Sequence, residues 1–136
     1  MPVLNIEHIA WNVTAPAAIA DWYVEHLGMR VVRQSGPPHH MRFIADAKGR
    51  VVLELYNNAV DAVPDYASMH PARLHLAFAT EDPDASKTAL LAAGATLVDD
   101  QVVADGSRLI MLRDPWGLAL QLVKRSTPLL PNITAS

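Results

Sequence analysis

The 136-residue chain contains no cysteine. That excludes disulfides, thiolate metal sites and a cysteine nucleophile, and leaves nitrogen and oxygen as the only donors for any metal. Aromatic residues are scarce at 6%, charged residues make up 18%, and there is no long apolar run. The longest weakly polar stretch, Thr88 to Val98, is alanine-rich and too short to span a bilayer. The start, MPVLNIEHIAWN, has neither a basic n-region nor an apolar h-region, so no secretory signal is expected and a cytoplasmic location is. A net charge of -3 supplies no broad basic face for a phosphate backbone, so neither nucleic acid nor membrane is an expected partner.

What is present is an apolar fraction of 51%, enough for a real core in a chain of ordinary domain size. The order of signals occurs twice. A strand-like run over Leu4–Val13 leads into TAPAAIADWYVEHLG, with Thr14 as an expected N-cap, Pro16 near the first turn, and Ile19, Trp22, Tyr23 and Leu27 at helical spacing before the Gly28 stop. Strand-like runs follow at Met29–Gln34, His39–Asp46 and Arg50–Tyr56. The second half opens with a run over Arg73–Thr80. A helix from Asp82-Pro83 to Gly94 follows, then runs at Thr96–Val103, Arg108–Leu112 and Leu118–Val123. Each half reads strand, helix, strand, strand, strand. His8 precedes His75 by 67 residues and Glu54 precedes Gln121 by the same 67, which is the mark of a duplicated module. The pattern predicts an α+β fold: one domain over residues 1–126, built from a module at about 3–57 and another at about 72–125, with a surface tail over 127–136.

Strand parity assigns faces. Ile9, Trp11 and Val13 take one face of the first strand and His8 the other; Leu74, Leu76 and Phe78 lie opposite His75. Val51, Leu53 and Leu55 lie opposite Glu54, and Leu118, Leu120 and Leu122 opposite Gln121. Two histidines, a glutamate and a glutamine thus hold matching positions in matching strands, a mixed nitrogen and oxygen set suited to divalent Zn, Ni, Co, Fe or Mn. Tyr56 and Asn58 share the parity of Glu54 and are candidate substrate contacts. Arg42 and Arg73 are candidates for an anionic group, while Trp11, Trp22 and Tyr23 fall on packing faces. His26, His39, His40 and His70 have no paired counterpart and are read as surface residues.

The stretches IEHIAWNV, WYVEHLGMRVVR, VVLELYNN, ARLHLAF and LRDPWGLALQLV resemble the vicinal oxygen chelate superfamily, which contains glyoxalase I, methylmalonyl-CoA epimerase, extradiol dioxygenases and the fosfomycin and bleomycin resistance proteins. The resemblance implies tandem βαβββ modules whose curved mixed sheets surround a metal cleft, and a homodimer. It places the metal ligands at His8, Glu54, His75 and Gln121, with open metal positions for neighbouring oxygens of a small-molecule substrate. Bacterial glyoxalase I enzymes usually carry glutamate where Gln121 stands and arginine where Asn12 stands, while their asparagine four residues after the first-module glutamate is matched by Asn58; Asn12 is therefore a candidate substrate contact of altered character. With Gln121 neutral, a divalent ion keeps a net charge of about +1, and Glu54 is the one carboxylate able to act as base. The chemistry implied is isomerase or lyase proton abstraction next to a carbonyl, with the metal stabilising the oxygen that gains charge. The alternatives are an extradiol ring-cleaving dioxygenase using Fe(II) or Mn(II) with two histidines and Glu54, and a non-catalytic protein that sequesters a bulky ligand.

Overall fold

A computed structural model describes residues 1–130. The order is β1 (Ile9–Asn12), α1 (Pro16–Leu27), β2 (Arg30–Gln34), β3 (Arg42–Ala45), β4 (Val52–Tyr56), a single 3-10 turn (Tyr66–Ser68), β5 (Leu76–Ala79), α2 (Pro83–Ala92), β6 (Thr96–Val102), β7 (Arg108–Arg113) and β8 (Ala119–Lys124). The fold is α+β: two four-stranded mixed sheets, each with one helix, in the orders β1-β4-β3-β2 and β5-β8-β7-β6. The chain divides into two compact units after Pro64. In each, the first strand runs parallel to the last and the other pairs are antiparallel.

In the first unit α1 begins one residue later than the composition suggests. Ala15 holds the N-cap position without a side-chain bond, Pro16 follows, and Thr14 stands outside. Proline at the first helical position needs no N–H partner there and presets the helical φ, which offsets the missing cap. Ile19, Ala20, Trp22 and Tyr23 are buried against a core of Val13, Ile44, Leu53 and Leu55. In the second unit Asp82 caps α2 by accepting from the Ala85 N–H at 3.0 Å, and Leu90, Ile110, Leu112, Leu118, Leu120 and Leu122 form the core. No buried side-chain nitrogen or oxygen lacks a hydrogen-bond partner among the described residues.

Three strands start three or more residues later than their apolar runs. β1 starts at Ile9 rather than Leu4, because its partner β4 starts at Val52, after the Lys48-Gly49 turn, and offers nothing to pair with residues further upstream. Val3, Leu4 and Ile6 are accordingly exposed. β3 starts at Arg42 rather than His39. Gly36–His40 forms a turn closed by His40 N–H to Gly36 O at 3.0 Å, with His40 at φ 49°, and the two prolines bring no N–H to a ladder. β5 starts at Leu76 rather than Arg73, because residues 70–73 close a turn through Arg73 N–H to His70 O at 2.9 Å. The expected tail is described only as far as residue 130; residues 131–136 lie outside the described residues.

Candidate functional site

In the first unit the parallel register sets Ala10 opposite Glu54, and the antiparallel register sets Phe43 opposite Glu54. His8 stands just before β1, on the parity of Ala10. Its Nε2 lies 3.7 Å from Glu54 Oε1. Its Nδ1 lies 2.9 Å from Glu7 Oε1, and its ring meets Phe43 edge to face with centroids 5.2 Å apart. An ionised carboxylate only accepts, so the Nδ1 proton points to Glu7, and in the neutral form of the ring the lone pair is left on Nε2, the nitrogen on the Glu54 side. Glu54 is mostly shielded, with a side chain 18% exposed against 33% for His8. The sequence pattern singled out His8 and Glu54 but not Glu7 or Phe43. Phe43 is found only from the register of β3 on β4, and Glu7 only once the first strand is seen to end short of it.

The other three first-unit candidates lie beside this pair. Tyr56, two residues beyond Glu54, is half-buried on the same face. Asn12 pairs with Tyr56 in register, and its side chain binds the loop that follows β4. Asn12 Nδ2 donates to Asn58 O at 3.0 Å and to Asp61 O at 3.3 Å, and Asn12 Oδ1 accepts from the Asn58 N–H at 2.8 Å. Asn58 Oδ1 accepts from the Val60 N–H at 3.0 Å. Both amides therefore shape backbone. Arg42 likewise spends Nη1 on the carbonyls of Ser35, His40 and Met41.

In the second unit Ala77 pairs with Gln121 across β5 and β8. His75, two residues before Ala77, precedes β5 on the same parity, and Gln121 is half-buried. His75 Nδ1 lies 2.9 Å from Pro71 O. A carbonyl only accepts, so the neutral ring carries its proton on Nδ1 and its lone pair on Nε2, the form in which histidine ligates a metal. Beyond this face a cavity of about 380 Å³ is lined by Ala77, Ala79, Thr80, Val123, Arg125 and Leu129 among others. That volume is within the range of small-molecule sites.

The first unit thus sets His8 beside the Glu54 carboxylate, while in the second His75 and Gln121 share only the parity of the Ala77–Gln121 pair. No group of three or more His, Asp or Glu side chains placed to hold a metal ion occurs among the described residues. His8 and Glu54 fit a divalent ion by donor chemistry: a nitrogen lone pair and a carboxylate oxygen at 3.7 Å, with the other ring nitrogen already engaged.

The glyoxalase-like domain family matches residues 8–123. The chain belongs to this family. Among solved structures, this glyoxalase-like chain is similar to a glyoxalase family protein from Enterococcus faecalis, at 28% identity and TM-score 0.67 over 88% of this chain and 97% of that one. It is also similar to a glyoxalase family protein from Bacillus cereus, at 19% identity and TM-score 0.72 over 90% of this chain and 95% of that one. A third similar structure is an antibiotic-binding protein from a Streptomyces species, at 21% identity and TM-score 0.72 over 93% of this chain and 99% of that one. No curated protein matches the sequence. No helix among the described residues is long and apolar enough to cross a membrane.

Proposed function

We propose that this glyoxalase-like protein is a divalent-metal-dependent isomerase or lyase that removes a proton next to a carbonyl in a small oxygen-chelating substrate. We assign the metal to His8, Glu54, His75 and Gln121. The observation that carries the proposal is the His8–Glu54 pair, a carboxylate mostly out of water facing a histidine whose other nitrogen is held by Glu7. When bound, the metal supplies Lewis-acid stabilisation to the substrate oxygens. Glu54 takes up the proton; its partial burial limits competition from solvent for that proton. Tyr56 borders the substrate on the same face, and Asn12 and Asn58 hold the loop beside it.

Two measurements test this. Untagged protein dialysed against Ni, Zn, Mn or Fe is expected to retain metal by elemental analysis. The loaded protein is expected to exchange solvent deuterium into 2-oxo or thioester compounds, and Glu54→Gln to abolish that exchange. Exchange that persists unchanged in Glu54→Gln removes Glu54 as base, and oxygen uptake with catechols after anaerobic iron loading would point instead to ring cleavage.

Non-catalytic binding of a small ligand is the alternative. The similarity to an antibiotic-binding protein supports it, as does the cavity of about 380 Å³ in the second unit. Protein that retains none of the four metals and binds a bulky ligand would favour it.

A further inference from the structure

Histidine 70 carries no counterpart in the other half and is exposed, yet its Nδ1 and its carbonyl both bind the turn that follows it. Its Nδ1 accepts from the Ala72 N–H at 3.0 Å, and its carbonyl accepts from the Arg73 N–H at 2.9 Å. A side chain accepting from the N–H two residues on is the geometry with which Asn and Asp close turns. Between these bonds sits Pro71, which is buried and has no N–H of its own. The segment just before is clamped by Arg113, which donates from Nη1 to Tyr66 O at 3.0 Å and from Nη2 to Met69 O at 2.7 Å. The Pro71 carbonyl shares its peptide plane with the Ala72 N–H, so the bond from that N–H to His70 also orients the carbonyl, which lies 2.9 Å from His75 Nδ1.

We propose that His70 is a positioning residue for His75: by closing the 70–73 turn it aims the Pro71 carbonyl, which fixes the Nδ1–H form of His75 and frees Nε2 as a donor. The inference rests on the assignment of His75 to the metal only for its consequence, not for its geometry. Partners that orient a ligating histidine change metal affinity about 10- to 100-fold when lost; His70 acts through one intervening carbonyl, so about tenfold is expected.

The test uses the full chain as wild type, His70→Ala and His70→Asn, with circular dichroism to confirm that all three are folded. Nitrogen-15 chemical shifts of the His75 ring in metal-free protein report its tautomer, and titration with Ni or Zn reports affinity. His70→Ala is expected to reduce the Nδ1–H population of His75 and to weaken metal about tenfold. His70→Asn, whose Oδ1 can accept from Ala72 N–H, is expected to restore both. Unchanged His75 shifts in His70→Ala overturn the proposal, as does failure of folded His70→Asn to restore them. If the shifts move as expected while wild type binds no metal, the positioning role stands and the metal assignment falls; if wild type binds metal and His70→Ala changes neither shift nor affinity, the reverse holds.

Discussion

Histidine 8 and Glu54 face each other across 3.7 Å, with Nε2 of one toward Oε1 of the other. Glu54 lies within β4 and His8 is the residue just before β1, which runs parallel and adjacent to β4, so the start of that strand pairing brings the two side chains together. Phe43 walls the histidine ring on one side and Glu7 holds its far nitrogen.

If this pair ligates metal, its members act as a unit. His8→Ala and Glu54→Ala are each expected to weaken Ni or Zn binding at least about tenfold. The double variant is expected to lose less than the product of the two, the non-additivity of groups sharing one partner. Isothermal titration on the three variants measures this. Fully additive losses would mean that the two residues act at separate places.

Gly117 and Gly106 sit at nearly the same backbone angle, φ 91° and 90°, where an L side chain is strained. Their surroundings differ. A Cβ on Gly106 meets nothing within 4 Å, whereas one on Gly117 comes 2.6 Å from Ala67 Cβ and 2.7 Å from Ala67 Cα. Gly106→Ala should cost about 1 kcal/mol for the backbone alone, and Gly117→Ala about 3 kcal/mol, because the 3-10 turn must move as well. Urea denaturation of both variants gives the difference directly; equal losses would show that the Ala67 segment yields freely.

Much of this was legible in the sequence, for identifiable reasons. The repeated order of elements could be read because the central strands alternate: in β4 Leu53 and Leu55 are buried and Glu54 between them is not, and in β7 Ile110 and Leu112 are buried and Met111 between them is not. The helix stripe of Ile19, Trp22 and Tyr23 was equally plain, although Leu27 at its end is only half-buried. The starts of β1, β3 and β5 were not legible, whereas β6 and β7 start at Thr96 and Arg108 as read. Leu4 and Ile6 have the right composition for a strand and lack only a partner, and partners are a property of β4, not of residues 4–8. The roles of Asn12 and His70 were hidden for a related reason. A polar side chain that binds backbone elsewhere looks, in sequence, like a substrate contact in the case of Asn12 and like a surface residue in the case of His70.

Asp100 is the centre of an ion network in the second unit. It accepts from Arg108 Nε at 2.6 Å and Nη2 at 2.9 Å, and from Lys87 Nζ at 2.7 Å; Arg108 also donates to Asp84 at 3.0 Å. These donors, Arg108 first and Lys87 next, hold the Asp100 carboxyl well below the usual carboxylate range. A lowered folded value means that the unfolded chain takes up the proton first as pH falls. The stabilisation is therefore whole above about pH 4 and declines below it. Asp100→Asn is expected to cost about 1 to 2 kcal/mol at pH 7, a figure held down by partial exposure of all three groups. The gap between wild type and variant should narrow from pH 4 to pH 2 in chemical denaturation, and a gap independent of pH would contradict it.

The loop after β4 gives the last expectation. Asn12 makes two kinds of bond to it: it accepts from the Asn58 N–H and donates to the carbonyls of Asn58 and Asp61. Asn12→Ala removes both and leaves a part-buried N–H without its acceptor, at a cost of about 1 to 2 kcal/mol. Asn12→Asp keeps the acceptor but places a negative charge where Nδ2 faced two carbonyl oxygens, so it should recover little of the loss. The neighbouring bond from Asn57 Nδ2 to Val13 O at 2.8 Å does not involve Asn12 and should survive in both variants. Hydrogen exchange separates these cases: the amide of Asn58 should exchange faster in both variants, while that of Val13, bonded to Tyr56 O at 2.8 Å just past the end of β1, should keep its protection. Loss of protection at Val13 as well would mean that Asn12 supports the β1–β4 pairing itself, and with it the placement of His8 beside Glu54.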